Sequence, residues 1–514
     1  MERQSACRDS LNVALTHGVA LSVFCVMFAL VTLAGFMAGR WRKPKDGMHS
    51  LEEWGLAGRG FGTLITWFLI GGDLYTAYTI IAVPAALYGS GAMGFFAVPY
   101  CIFIYPYMMV VLPRLWEICQ RHGYITFADL VRGRFDFRPL TLAIALTGIL
   151  SLMPYIALQL VGMKVVLAAM GMGGEWPIVV AFVILAAYTY SSGLRAPAMI
   201  AVVKDVMLYV MVLAAVILLP LKLGGFGHIF AVAKAALPTH HPAGSILLKP
   251  GQMLPYTTLA IGSAIALILY PHTATGMLSA ASKGTIRRNA ALLPAYSLLL
   301  GLLALLGYVA IAAGVTTTDK SQAIPLLFLK MFPEWFAGFC LSAIAIGALV
   351  PAAIMSIAAS NLFTRNIWGE LTRTKLNDKQ ESQMAKIVSL IVKFGALAFV
   401  IESPSSYAIE MQLLGGIWIA QLFPSVVLGA FVRKLHPWAL FCGWAAGMGM
   451  GTWMAAAMHL KTSGVYPLHV FGGTYSMYAA VPALAINLIL AIGLTPVFRA
   501  MGVRDGSNIE VAFG

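Results

Sequence analysis

Residues 61–88 read FGTLITWFLIGGDLYTAYTIIAVPAALY, a stretch long enough to cross a bilayer, with Gly71, Gly72 and Asp73 at its middle. An ionisable carboxylate at mid-membrane costs roughly 2.5–3.5 kcal/mol on insertion scales, so it faces a polar cavity or a partner rather than lipid. Two glycines before it weaken the helix, and irregular backbone at that depth is tolerated where it lines a binding cavity. The stretch is therefore predicted to be a membrane helix that breaks at its centre. A break carrying a carboxylate is one way in which secondary carriers build a cation site. The plainer alternative is a packing pair of glycines beside an Asp satisfied by a neighbouring helix.

The rest of the chain suits that setting. Its 514 residues are 60% hydrophobic and 11% charged, with mean hydropathy +0.84, which marks an all-α polytopic membrane protein and leaves no room for a soluble domain. Apolar stretches of about 20 residues, enough for a hydrocarbon core of about 30 Å, occur at 15–39, 60–88, 92–116, 139–171, 177–192, 197–220, 253–275, 289–314, 335–364, 386–402, 407–432, 436–458 and 474–498. That makes thirteen spans, of which the fifth is short. The first exceeds a signal-peptide core and precedes the basic RWRKPK, so it is read as retained.

The formal charge of +14 would suggest nucleic acid in a soluble chain, but here it reports topology. With the N-terminus outside and the C-terminus cytoplasmic, inner segments hold 23 Lys and Arg against 8 on outer ones. Lys164, Lys204 and Lys393 fall inside spans. Lys164 and Lys393 lie near span ends and are expected to snorkel. Lys204 lies deeper, beside Asp205; helix neighbours point about 100° apart, so the two are not expected simply to pair. Six scattered cysteines without a CxxC pair argue against a disulfide framework or a zinc site.

Two connecting segments have local structure of their own. In HGYITFADLVRGRF (122–135), Thr126 and Asp129 have capping-box spacing, which predicts a short cytoplasmic helix. The outer segment 222–252 holds GHIFAVAKAAL, read as an interfacial amphipathic helix, and then HHP, where His240 and His241 are expected to be solvated. No nucleophile and base cluster together, and His272 is alone in the membrane, so no enzyme activity and no cofactor are expected.

WGLAGRGFG (54–62), TFADLVRGRF (126–135), SSGLRA (191–196) and NLFTRNIW (361–368), in that order, resemble the sodium:solute symporter family. Within that family, YPHTATG (270–276) and the stretch 286–314 are most similar to the monocarboxylate permease branch, which implies uptake of a small acid such as pyruvate, lactate or propionate. The resemblance implies a leucine-transporter-type fold of two inverted five-helix repeats, 60–220 and 253–433, with 15–39 and 436–500 peripheral. A symporter for an amino acid, a sugar or a vitamin, or a sensor on a transporter fold, is the alternative. Oligomeric state is not legible.

The first helix of the second repeat carries Tyr270-Pro271-His272, so both repeats begin with an interrupted helix, the best sequence pointer to a substrate site. An organic anion there needs donors. Backbone N–H groups at Leu74 to Thr76, where a half-helix restarts, would supply some. Side chains of Tyr75, Thr76, Tyr270, His272, Thr273 and Thr275 would add others, with Tyr155 and Gln159 on one face of span four and Gln412 and Trp418 opposite. For each, the plainer reading is a helix-to-helix hydrogen bond. Gly72, Asp73, Lys204, Asp205 and Ser356 form the expected cation-coupling group. Family members that use sodium place paired hydroxyls where this chain has Val350 and Pro351, and an Asp where it has Ala201. The coupling ion is thus either H+, through Lys204 or Asp73, or Na+ held by Asp73, backbone carbonyls and Ser356.

Overall fold

A bilayer offers the backbone no hydrogen-bonding solvent, so an apolar chain crosses it as helices that satisfy their own N–H and C=O groups. The computed structural model describes residues 18–38, 40, 48–240, 242–374, 376–402, 408–460, 464–470 and 472–504. The readings at Cys7, Arg42, Lys43, Lys45, His241, Lys375, Lys461 and the tail beyond 504 fall outside them.

In chain order the main helices are α1 (Gly18–Ala38), the broken pair α2 (Thr63–Leu74) and α3 (Val83–Ser90), α4 (Ala97–Val110), α5 (Leu112–His122), α6 (Phe127–Phe135), α7 (Arg138–Ala169), α8 (Trp176–Ser192), α9 (Arg195–Lys222) and α10 (Gly225–Ala236). There follow α11 (Pro250–Leu269), α12 (Pro271–Leu278), α13 (Lys283–Leu292), α14 (Pro294–Ala312), α15 (Ala323–Met331), α16 (Glu334–Leu362), α17 (Asp378–Glu402), α18 (Ala408–Ile419), α19 (Pro437–Ala457) and α20 (Ala480–Ala500). Among the described residues ten helices are long and apolar enough to cross a membrane, and eleven if α2 and α3 count as one span. The other two stretches read as spans are also helical. They are α8, with 17 residues, and α19, diluted by four glycines. Those glycines let α20 and α18 approach closely: a Cβ at Gly443 would lie 2.5 Å from the Asn487 carbonyl, and one at Gly451 2.7 Å from Ile417.

The last span differs from its sequence reading. Residues 473–478 form strand β2 (Gly473–Tyr478), paired antiparallel with β1 (Val465–Val470), and the helix begins only at Ala480. Thr474, Tyr475 and Tyr478 favour a pleated strand, and Gly472 takes the positive φ (73°) of the tight turn between the two strands. A window of apolar residues could not separate that hairpin from the helix after it.

α16 is the central post, with its apolar window wholly buried and α7, α1, α9 and α17 packed around it. α1 reaches it closely because Gly338 has no side chain: a Cβ there would lie 2.3 Å from the Ala20 carbonyl. The capping box forms as read, with Thr126 Oγ1 accepting from the Asp129 N–H at 3.0 Å and Asp129 Oδ2 from the Thr126 N–H at 3.2 Å. The helix read at GHIFAVAKAAL forms too, as α10, with Ile229 and Ala233 buried and Lys234 exposed.

The four segments that carry the family resemblance meet near one another, away from the helix breaks. The Leu194 N–H donates to the Trp54 carbonyl at 2.9 Å. Arg195 holds Glu53 at 2.6 Å. Asn366 joins Asp129 at 2.6 Å and Thr126 at 2.7 Å. Arg132 and Arg138 both clasp Glu370, at 2.6 and 3.0 Å. These contacts tie α6 and α7 to the segment that follows α16, and the start of α9 to residues 53 and 54. One expectation fails in the core: Lys393 does not snorkel but is buried, its ammonium donating to Ser389 Oγ at 2.7 Å.

Candidate functional site

The glycine-weakened stretch breaks, but just beyond Gly71–Asp73, which stay helical, rather than at them. α2 ends at Leu74, Tyr75 leaves helical geometry (φ −91°, ψ 81°), and a wide turn over Tyr78–Ala82 leads into α3, bent 52° from α2. The second interruption is at Tyr270 (φ −58°, ψ 135°), because Pro271 has no N–H to continue the ladder and its ring excludes a helical residue before it. Asp73 and His272 bring the two breaks together, with carboxylate Oδ2 and imidazole Nε2 3.6 Å apart and both side chains buried.

Tyr155 and Tyr270 wall in that imidazole, with ring centroids 5.4 and 5.1 Å from it. The Tyr270 hydroxyl donates to the Gln412 carbonyl at 3.2 Å, fixing α18 against the break. Four buried side chains here have polar atoms without a hydrogen-bond partner among the described residues: Asp73 Oδ1, both His272 nitrogens, Thr273 Oγ1 and Gln412 Oε1. Buried polar atoms are rarely left unpaired, so a cluster of them is the mark of a place that takes a polar ligand.

The restarting backbone does not offer the free donors the sequence led us to expect. The Ala77 N–H donates to Gln159 Oε1 (2.9 Å), the Thr76 N–H to Thr79 Oγ1 (2.9 Å) and the Tyr78 N–H to Thr76 Oγ1 (3.1 Å). Gln159 projects from α7 onto this break, and Tyr155, one turn earlier on the same face, sets its ring against Tyr270 and His272 at the second break. Gln159, Thr76 and Thr79 brace the break and consume its donors, because a bare N–H in this dry interior would cost more than a side-chain partner. Donors for an anion are thus left to the second break. Tyr75 also points elsewhere, its hydroxyl bonded to the Tyr296 carbonyl.

The second half of the site is a charge cluster. Helix α2 stops before the carbonyls of Gly72 and Tyr75 gain their helical donors, and the Lys204 ammonium takes their place, at 2.7 and 3.2 Å. Gly72 makes this approach possible: a Cβ there would lie 3.0 Å from Nζ and 3.2 Å from Asp205 Oδ2. Contrary to the helix-spacing argument, Lys204 and Asp205 do pair, Nζ to Oδ1 at 2.9 Å with neither side chain exposed. The reason is tertiary. The long lysine stem folds back to the α2 carbonyls, and the Tyr296 hydroxyl on α14 donates to Asp205 Oδ2 at 2.6 Å, turning the carboxylate to the same side. Tyr296 was not singled out by sequence, because a lone Tyr in an apolar helix carries no motif.

Ser356 is not joined to this cluster. Its hydroxyl donates to the Ala353 carbonyl at 2.8 Å and accepts from Ser389 at 3.3 Å, next to Lys393. Ser360 likewise bonds its own helix, at 2.7 Å. Trp418 bonds Thr452 on α19 at 3.0 Å rather than lining the breaks. Val350 and Pro351 are buried and bring no hydroxyl.

Two interrupted helices whose breaks meet at a buried Asp73–His272 contact, packed on a buried post and carrying ionisable groups, define a cation-coupled carrier. The profile of the sodium:solute symporter family matches residues 54–447, and the chain belongs to that family. Over 479 residues it is 51% identical to a protein of Rhizobium johnstonii named monocarboxylate transport permease protein, covering 93% of this chain and 96% of that one. It is 31% identical over 508 residues to the uncharacterized symporter YodF of Bacillus subtilis, covering 96% of each. Among solved structures, a Na+-coupled sialic acid symporter in a substrate-bound outward-open state matches with TM-score 0.76 at 16% identity, over 96% of this chain and 99% of that one. The fold is therefore of the leucine-transporter type, and the chain is a multi-pass cation:solute symporter.

Proposed function

We propose that the chain imports a small monocarboxylate and that protons, rather than sodium, drive the uptake. The observation that carries the coupling is the Lys204 ammonium on the Gly72 and Tyr75 carbonyls, at 2.7 and 3.2 Å. An ammonium serves a cluster of carbonyls as a monovalent cation does, and unlike a metal ion it can release its charge as a proton. The substrate class is supported by the Rhizobium relative's name and by the unpaired polar atoms of His272 and Thr273, which suit a carboxylate and a small polar substituent.

Electrostatics links the two. A carboxylate placed about 4 Å from Asp73 would meet a repulsion on the order of 4 kcal/mol at an effective dielectric of about 20. Added positive charge beside Asp73 removes that penalty, so substrate and cation favour each other's binding. In this reading His272 and Thr273 hold the substrate carboxylate, Tyr155 and Tyr270 shape the aromatic wall, and Lys204 and Asp205 carry the coupling charge. Residues 60–220 and 253–433 form the two repeats, each opening with one of the broken helices. The N-terminus lies outside and the C-terminus in the cytoplasm.

Sodium coupling is the second reading. The family name favours it, and so do the unpaired Asp73 Oδ1 and Thr273 Oγ1, which are oxygens fit for a hard cation. Uptake of labelled pyruvate, lactate and propionate into proteoliposomes separates the two. An inward proton gradient without sodium should drive accumulation in the wild type and not in Lys204→Ala. Accumulation driven by sodium alone, and retained in Lys204→Ala, would overturn the proton reading.

A further inference from the structure

We infer that Asp205 is the proton acceptor of Lys204 and that Tyr296 is the positioning residue that holds it in that role; this rests on the proton-coupled reading above. Successive residues of a helix diverge by about 100°, yet the Asp205 carboxylate is shared between two partners on opposite oxygens. Oδ1 lies 2.9 Å from the Lys204 ammonium, and Oδ2 accepts the Tyr296 hydroxyl at 2.6 Å. Among the described residues no other side chain is bonded to Asp205, so Tyr296 is what turns the carboxylate.

The ring that carries this hydroxyl is itself fixed. It packs on Trp67 and Tyr209, with centroids at 4.8 and 5.6 Å. Its face lies against Gly71, where a Cβ would fall 2.2 Å from two ring carbons. Its backbone carbonyl accepts the Tyr75 hydroxyl. Gly71 and Gly72 therefore have separate tasks: the first admits the Tyr296 ring and the second admits the lysine ammonium. Broken helix α2, α9 and α14 are tied together through one ion pair.

The step this arrangement performs balances without a further reactant. An N–H bond of the Lys204 ammonium breaks, the proton moves to Asp205 Oδ1 as an O–H bond forms, and both side chains become neutral. The carbonyls of Gly72 and Tyr75 then face an amine instead of a cation, which loosens the hold on the break. Asp205 passes the proton to water when the site opens to the side of release. The groups facing the pair are Asp73 and Tyr75 on the broken segment, Tyr209 on α9 and Tyr296 on α14. Of the other helices packed against α9, α1 and α8 carry no charged side chain, α16 carries only Glu334 at its start, and the Lys234 of α10 is exposed. Asp73 is the other carboxylate within electrostatic reach of Lys204.

The Tyr296 hydroxyl stabilises the charged carboxylate, so its loss favours the microstate with the proton on Asp205, and the pair keeps its proton to higher pH. The test is the pH profile of proton-driven monocarboxylate uptake in proteoliposomes containing the full chain. In Tyr296→Phe the alkaline limb should move up by about one pH unit, the worth of a lost charge-assisted hydrogen bond, while the substrate KM at the optimum stays within about twofold, as expected of a residue outside the substrate's contacts. Gly71→Ala, which displaces the same ring sterically, should move the limb in the same direction. Tyr209→Phe removes a hydroxyl from the packing without touching Asp205 and should leave the profile in place. An unmoved limb in Tyr296→Phe, or equal shifts in Tyr296→Phe and Tyr209→Phe, overturns the inference while leaving proton coupling standing. A wild type with no proton-driven uptake overturns the proton-coupled reading and this inference with it.

Discussion

Replacing Lys204 with Met removes the one cation that three buried acceptors share. The Asp205 carboxylate would keep only the Tyr296 hydroxyl, and the carbonyls of Gly72 and Tyr75 would lose their donor. Breaking a buried ion pair from one side costs about 3–5 kcal/mol because the remaining charge is uncompensated. Asp205→Asn alone strands the ammonium in the same way, with the two carbonyls as partial relief. The double variant removes both charges at once, and a neutral buried pair carries no desolvation penalty of that size. Its cost should therefore fall short of the sum of the single costs by about 2 kcal/mol or more, within the range of coupling between residues in contact. Thermal unfolding of the purified chain in detergent, at one pH and salt, reads this as a double-variant Tm higher than the sum of single losses allows. Additive losses across the cycle would refute the idea that these side chains act as one buried pair.

Further outcomes follow from the same geometry. His272→Ala and Thr273→Ala should each raise the KM for monocarboxylate uptake about tenfold or more while membrane expression stays near wild type, since a removed charge-stabilising hydrogen bond is worth about 1.5–3 kcal/mol; an unchanged KM in both would remove them from the substrate site. Lys393→Met should be neutral or stabilising in thermal unfolding, because among the described residues the buried ammonium bonds Ser389 alone and a thioether of similar length avoids its desolvation; a loss above about 3 kcal/mol would mean that the ammonium has a paired partner or an ion. In a cysteine-free background a cysteine at Lys234 should be labelled from outside by an impermeant thiol reagent and one at Arg373 should not, and the reverse pattern would invert the topology.

Much of the fold was legible because the bilayer constrains it. Apolar length marked the helices, and Thr126 with Asp129 announced their capping box. The motifs of family resemblance marked structure rather than specificity: Trp54, Arg195, Thr126 and Asn366 build the packed contacts that hold helix ends together. At the site, the glycine pair, Asp73, Pro271 and the Tyr155–Gln159 spacing correctly located two breaks that meet. What the sequence hid were contacts made by long or adaptable side chains across helices. Helical spacing gives the direction of a Cβ, but a lysine stem can double back, so the Lys204–Asp205 pair was unreadable without α2 and α14 around it. The N–H groups of the restart looked free because Gln159 and Thr79, which take them, are ordinary polar residues in apolar runs. The hairpin at 465–478 was absorbed into a span because hydropathy averages over strand and helix alike.

The most direct test of the central claim is proton entry during substrate uptake, read by a pH-sensitive dye trapped in sodium-free proteoliposomes. On addition of external lactate at matched pH, the wild type should acidify the lumen faster than protein-free liposomes, which report passive entry of the acid, and Lys204→Ala should fall back to the protein-free rate. Wild-type acidification no faster than in protein-free liposomes, with lactate uptake restored only when sodium is added, would contradict the account.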